Sequence, residues 1–92
     1  MHLFFLFIMS KIAKIIKYLL ARPPEARFEK ISYVLKYFGY REVRIKGSHN
    51  IFENDEGDVI VVPKKGGKKV KRTYIEAVIK LLDLQNWQDD TK

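Results

Sequence analysis

The chain has 92 residues, a formal net charge of +7, 47% hydrophobic residues and no cysteine. This length suits one domain with one modest core. The missing cysteines exclude disulfides and thiolate metal sites and favour a reducing cytoplasm. The positive charge favours a polyanionic partner such as nucleic acid, and a basic surface without a specific partner is the plainer alternative.

The chain opens on an apolar run at residues 3–9. This run is far shorter than the ~20 residues that span a bilayer. It also lacks the preceding cationic stretch and the small-residue cleavage pattern of a signal peptide. We interpret residues 1–22 as an apolar extension followed by a helix, with Met9 as an alternative start. A membrane anchor is the minor alternative, so a membrane partner is not expected.

A basic amphipathic helix is predicted from Ser10 to Ala21. Ser10 can cap its first turn, and the residue before Pro23 is steered out of the helical region. A membrane or a partner helix can bind such a segment, but we expect its apolar stripe to pack on this domain's core or on another chain. Helical spacing puts Ile12, Ile15, Ile16, Leu19 and Leu20 on the apolar side, with Lys11, Lys14 and Lys17 opposite.

A second helix is predicted from about Glu25 to Phe38. Pro24 suits its first turn, and Gly39 stands where a left-handed residue ends a helix. The buried stripe should consist of Phe28, Ile31, Val34, Leu35 and Phe38.

Three short strands and a last helix follow. Turn-forming residues separate the strands by short connections, which is typical of an antiparallel meander. The helix should begin with a capping box from Thr73 to Glu76. The predicted fold class is therefore α+β, a two-layer sandwich with helices on one face of the sheet. The strands are residues 40–46, 49–53 and 59–62; the apolar side of the helix is Tyr74, Ile75, Val78, Leu81 and Leu82; residues 85–92 form a polar tail from which Trp87 can tuck back.

His49 is the main candidate for chemistry. It follows the turn residues Gly47 and Ser48 in a basic context. Histidine can take and give a proton near neutral pH. In RNA cleavage one group must take the proton of the ribose 2′-hydroxyl and another must protonate the leaving oxygen. The alternative is a half-exposed strand histidine with no chemical role.

Basic residues are the candidates for binding phosphate. The segment from Lys64 to Arg72 surrounds Gly66 and Gly67, and we expect a mobile loop there that presents cations to phosphate. A Walker pattern is absent, which argues against a nucleotide-binding loop. A solvated basic loop is the plainer alternative. The phosphate-contacting set is Lys46, Ser48, Lys64, Lys65, Lys68 and Lys69, with Gly47 shaping the turn.

Two further patterns in the sequence are weaker. The acidic residues at 53–58 do not match a calcium loop, so we interpret them as a turn, and we expect no metal and no cofactor. Tyr37, Tyr40 and Phe52 have the chemistry to stack on bases, but Tyr40 and Phe52 are more typical of core or edge positions in such a sheet.

Residues 28–84 resemble the HicA family of small toxins from type II toxin–antitoxin systems. The resemblance rests on Gly47-Ser48-His49 after a helix that ends at Gly39, on the strand 59–63 with basic residues after its proline, and on the helix introduced by Thr73. It implies a double-stranded-RNA-binding-like α-β-β-β-α fold at residues 23–84, preceded here by an extra helix. It also implies a metal-independent mRNA interferase and a HicB-type antitoxin that masks the active surface.

The resemblance also implies that catalysis rests on His49 alone. Many family members carry a second histidine after Gly-Ser, and Asn50 stands at that position here. Members often carry a histidine after the strand-ending proline, where this chain has Lys64 and Lys65, which favours phosphate binding. We therefore expect a cytoplasmic endoribonuclease that acts on mRNA; the alternative is a non-catalytic RNA-binding module of the same fold. A third interpretation is a structural protein whose basic face docks an acidic partner.

Overall fold

The computed structural model describes residues 9–89. The predictions for His2 and for the apolar residues before Met9 lie outside the described residues. The α+β class is confirmed, because a three-stranded antiparallel sheet packs against helices in the order α-β-β-β-α after an extra N-terminal helix. The elements are α1 (Lys11–Leu20), β1 (Glu25–Arg27), α2 (Phe28–Tyr37), β2 (Arg41–Lys46), β3 (His49–Glu53), β4 (Val59–Pro63), β5 (Lys69–Lys71), α3 (Arg72–Leu82) and a 3₁₀ turn (Leu84–Asn86).

Helix α1 belongs to the core of the domain. The Ser10 hydroxyl accepts a hydrogen bond from the Ala13 amide, as the predicted cap requires. Of the five predicted apolar residues, Ile12, Ile15, Ile16 and Leu19 are buried against α2 and α3, and Leu20 is half-buried. Its lysines lie on the exposed side, and its apolar stripe packs on this domain's own core. No helix within residues 9–89 is long and apolar enough to cross a membrane.

The predicted start of the second helix at Glu25 is wrong. Glu25–Arg27 forms a strand, β1, that pairs antiparallel with β5, and α2 begins only at Phe28. Ala26 is buried opposite Val70 in this pair. In the basic segment before α3, Lys69–Lys71 is thus a strand and Lys65 bridges to Lys69, so the segment is a short hairpin and not an open loop. Residues 25–27 have helical composition, but their pairing with β5 overrides it. Gly39 has a φ of +93°, which confirms the predicted left-handed end of α2.

The three-stranded sheet has the order β2-β3-β4 and two unlike faces. Side chains at paired positions share a face, and neighbours along a strand alternate between faces. The register shifts between Glu42 and Arg44, which leaves Val43 as an extra residue in a β-bulge. The covered face, toward the helices, carries Glu42, Asn50, Phe52, Ile60 and Val62, with Ile45 at its margin and 62% exposed. The open face carries Arg41, Arg44, Lys46, His49, Ile51, Glu53, Val59, Val61 and Pro63.

The predicted capping box of the last helix is also wrong. Helix α3 begins at Arg72 with Lys71 as its N-cap, and no side chain caps it. Within the helix Ile79 is buried, although it was not on the predicted apolar side, and Leu81, which was on that side, is 40% exposed. Trp87 packs back against the Tyr37 and Phe38 rings, as expected. The core joins all three helices to the covered face through Leu19, Ile31, Val34, Leu35, Phe52, Val62, Val70, Ile75, Val78 and Leu84.

Candidate nucleic-acid interface and active site

The turn between β2 and β3 presents the candidate histidine. Gly47 and Ser48 form the two-residue loop, and Lys46 and His49 are the pair that closes it. Gly47 has a φ of +62°, the left-handed value that a type II′ hairpin turn needs at its first loop position. The backbone amide of Lys64 donates to the Ser48 carbonyl at 2.8 Å, which ties the turn to the end of β4.

His49 lies in the middle of a row across one end of the open face. Its partners are Lys46 on β2 and Pro63 on β4. Directly opposed residues in an antiparallel sheet have Cβ atoms about 4.5–5.5 Å apart, so Lys46 lies beside the imidazole. The His49 side chain is exposed and makes no hydrogen bond or ion pair within residues 9–89. An exposed imidazole can take a proton from a hydroxyl group of a bound ligand or give one to a leaving oxygen, and the neighbouring ammonium group can hold an anion.

The other predicted lysines do not share the face of His49. Lys64 follows Pro63 and turns to the helix side, where its Nζ lies 4.5 Å from the centroid of the Phe28 ring. Lys65 forms an ion pair with Glu25 at 3.4 Å. Lys68 and Lys69 are exposed on the hairpin that leads into β5. The structure thus puts Lys46 next to His49 and puts the remaining lysines around the end of β4.

Asn50 lies on the opposite face from His49. Its side chain is 1% exposed, and its Nδ2 donates to the Glu42 carboxylate, while its Oδ1 has no partner within residues 9–89. Strand alternation explains this placement, because neighbouring residues point to opposite faces. Asn50 therefore does not contribute to the surface that His49 presents.

The acidic turn and the aromatic residues have structural roles here. The Asn54 side chain accepts hydrogen bonds from the Glu56 and Asp58 amides, which shapes the turn between β3 and β4. No group of three or more possible metal-ligating side chains occurs within residues 9–89. Phe52 and Tyr40 are buried in the core and so are not available for base stacking, whereas Tyr37 is 46% exposed.

An exposed apolar patch occupies the centre of the open face, and the sequence analysis missed it. Val43, Val59 and Val61 are 45%, 53% and 41% exposed, beside the half-buried Ile51. An antiparallel sheet with one face in water ordinarily alternates apolar and polar residues. The continuous run Val59–Val62 was the available signal, because a strand with apolar residues on both sides has two faces to cover.

A shallow pocket lies at the end of β4, next to this row. It has a volume of about 240 Å³ and is lined by Pro63, Lys64, Lys65, Lys71 and Tyr74. Lys71 and Tyr74 were not among the predicted site residues. Lys71 ends β5 and Tyr74 lies in the first turn of α3, so only the pairing of β5 with β1 puts them there.

Comparison with known proteins defines the class of the chain. A family model described as the HicA toxin of bacterial toxin–antitoxin systems matches residues 28–84, which span α2 to the 3₁₀ turn. Searches of curated proteins and of solved structures found no significant match.

The chain therefore belongs to the HicA toxin family. It is accordingly the toxin of a toxin–antitoxin system, and an antitoxin is its partner. The family match excludes the extra helix α1, which precedes residue 28.

Proposed function

We propose that this toxin is a metal-independent endoribonuclease that cleaves mRNA in the cytoplasm, with His49 as its general acid/base. The observation that carries the proposal is the exposed position of His49 beside Lys46 on the open face. Residues 23–84 form the RNA-binding and cleaving unit in this proposal, with residues 1–22 and 85–92 as flanking segments.

The proposed reaction is an attack of the ribose 2′-hydroxyl on the adjacent phosphorus. A bond forms between the 2′-oxygen and phosphorus, and the bond from phosphorus to the 5′-oxygen of the next nucleotide breaks. His49 takes the proton of the 2′-hydroxyl or gives one to the leaving oxygen, and water carries out the other transfer. Lys46 stabilises the negative charge that grows on the phosphate oxygens. The products are a 2′,3′-cyclic phosphate and a 5′-hydroxyl end.

The test is cleavage of end-labelled single-stranded RNA in the presence of EDTA. Wild type should cleave, and His49→Ala should lose about 10²–10⁴-fold in rate, which is the usual contribution of general acid–base catalysis. His2→Ala is the matched control, because it removes the only other histidine of the chain. Circular dichroism checks that each variant is folded.

The alternative function is a non-catalytic RNA-binding module of the same fold. Asn50 favours it, because the chain has one histidine where many relatives have two, and that second position is buried. If wild type and His49→Ala both bind RNA in a salt-sensitive manner and neither cleaves it, the enzyme proposal is wrong and this alternative replaces it.

We further propose that the antitoxin is of the HicB type and covers the open face. The exposed valines give this face an apolar centre, and Arg44, Lys46 and His49 give it a basic edge. A partner with apolar side chains at its centre and carboxylates toward this edge complements both features. Covering the face would bury His49 and so block its access to RNA.

The docking proposal has a closely matched pair of variants. Val61 on the open face and Leu81 on α3 are 41% and 40% exposed, so each can be changed to lysine without opening the core. Val61→Lys should weaken binding of the HicB-type antitoxin at least about tenfold in titration calorimetry, because a charge replaces an apolar contact at the centre of the interface. Leu81→Lys should bind as wild type does; equal losses in both variants would contradict this location.

A further inference from the structure

The pocket at the end of β4 combines positive charges from two parts of the chain. Lys64 and Lys65 lie in the connection that follows β4, and Lys71 ends β5. One carboxylate offsets part of this charge, since Glu25 pairs with Lys65 at 3.4 Å. Within residues 9–89 Lys71 forms no ion pair, and the Lys64 ammonium is held near the Phe28 ring. The pocket therefore keeps a surplus of positive charge.

The size and lining of the pocket limit what it can take. Its volume of about 240 Å³ lies below the roughly 300–1,000 Å³ of ordinary small-molecule sites. A phosphate with part of a sugar fits that volume better than a whole nucleotide does. Tyr74 adds a hydroxyl donor and a ring face, and Pro63 adds an apolar wall. These groups suit an anion that is attached to an apolar or sugar-like neighbour.

Pro63 connects the pocket with the candidate active site. It lines the pocket, and it is also the cross-strand partner of His49 on the open face. The bond from the Lys64 amide to the Ser48 carbonyl fixes the end of β4 against the turn that presents His49. A strand that is cleaved at His49 and continues across Pro63 reaches the pocket directly.

We propose that this pocket binds an internal phosphodiester of the RNA strand that flanks the cleaved bond, with Lys71 and Tyr74 as substrate-binding residues. The inference rests on the proposed function for the identity of the strand. Lys64 and Lys65 are part of the same pocket, and Lys46 serves the cleaved phosphate itself. The binding site thus extends from the open face around the end of β4.

The experiment compares Lys71→Gln with Lys80→Gln, which removes one charge from an exposed residue of α3 outside the pocket. Both changes are made in the His49→Ala chain, and binding of a fluorescein-labelled single-stranded RNA is measured as a function of salt. Lys71→Gln should weaken binding roughly fivefold and reduce the salt slope by about 0.7, the value for one phosphate contact on a single strand. Lys80→Gln should change neither quantity.

A second measurement uses the cleaving chain with His49 intact. Lys71→Gln and Tyr74→Phe should raise KM and leave kcat unchanged, because a flanking phosphate contact is the same in the ground state and in the transition state. The same RNA sequence is offered with a 5′-hydroxyl and with a 5′-phosphate. An equal rise in KM on both RNAs supports binding of an internal phosphodiester. A rise in KM confined to the phosphorylated RNA overturns the inference in favour of a terminal phosphate.

The outcomes separate this inference from the proposed function. If Lys71→Gln and Lys80→Gln weaken RNA binding equally, the proposed binding of RNA in the pocket is wrong, whether or not the chain cleaves RNA. If no chain cleaves RNA but Lys71→Gln alone weakens binding, the pocket binds an RNA phosphodiester and the ribonuclease proposal is wrong. If the Lys71→Gln chain binds as its parent does, the inference is overturned.

Discussion

The two faces of the sheet differ in how far their side chains are buried. On the covered face Phe52 and Val62 are fully buried, and Asn50 is 1% exposed. On the open face His49 is exposed and Val61 is 41% exposed, although each is the neighbour of a buried residue. The comparison shows that one strand serves two purposes: its alternate residues hold the fold together on one side and remain available to a partner or substrate on the other.

The largest expected difference between the faces concerns stability. Phe52→Ala should lower the free energy of unfolding by about 3–5 kcal/mol, because it removes a fully buried ring that contacts Phe28. Val61→Ala should cost less than about 1 kcal/mol, since only strand propensity changes. Urea denaturation of both variants measures the contrast. Similar losses of unfolding free energy in the two variants would show that another part of the chain covers the open face.

A smaller difference is expected at the neighbouring residues 49 and 50. Asn50→Ala should cost about 1–3 kcal/mol, because Glu42 loses the donor for its carboxylate in a half-buried setting. His49→Ala should stay within about 0.5 kcal/mol of wild type, since the imidazole is exposed. Denaturation midpoints test this pair, and a destabilised His49→Ala would assign that histidine a structural role.

The smallest effect is a pH dependence on the covered side. Burial, with a lesser contribution from Asp58 and Glu56, raises the pKa of Tyr40 above its ordinary value of 10.0. Its contribution to stability is complete below pH 10.0, where the hydroxyl is neutral in both states, and is lost as pH rises through the folded-state pKa. Tyr40→Phe should therefore flatten the loss of stability in alkali, measured by urea unfolding.

Tyr37→Phe is the control for that experiment. Tyr37 is 46% exposed, so this variant removes a tyrosine hydroxyl from the surface and not from the core. An equal flattening in both variants would mean that the dependence does not come from the buried hydroxyl.

Much of the fold could be predicted because its signals are local. The spacing of apolar residues in α1, the Ser10 cap and the left-handed Gly39 each depend on a few neighbouring residues, and all three are confirmed. The family resemblance, carried by Gly47-Ser48-His49 and its surroundings, extended this to the fold class and to the family itself.

The remainder depends on contacts between distant parts of the chain. Residues 25–27 have helical composition and become a strand only through pairing with residues 69–71. That pairing also brings Lys71 to the pocket at the end of β4. The charge of the basic segment was visible in the sequence, and the local Gly47-Ser48 turn sets Lys46 beside His49. The gathering of Lys64, Lys65 and Lys71 around one pocket depends instead on long-range pairing, which no local pattern encodes.

The hydrogen bond from the Ser10 hydroxyl to the Asp89 carboxylate, at 3.1 Å, joins residues that are 79 positions apart. The two ends of the described chain therefore meet at the start of α1. A short linker between them would close the backbone into a ring, which could then be opened within the Asn54–Asp58 turn. Such a circular permutant would keep the packing of the helices while reversing which half of the chain is synthesised first.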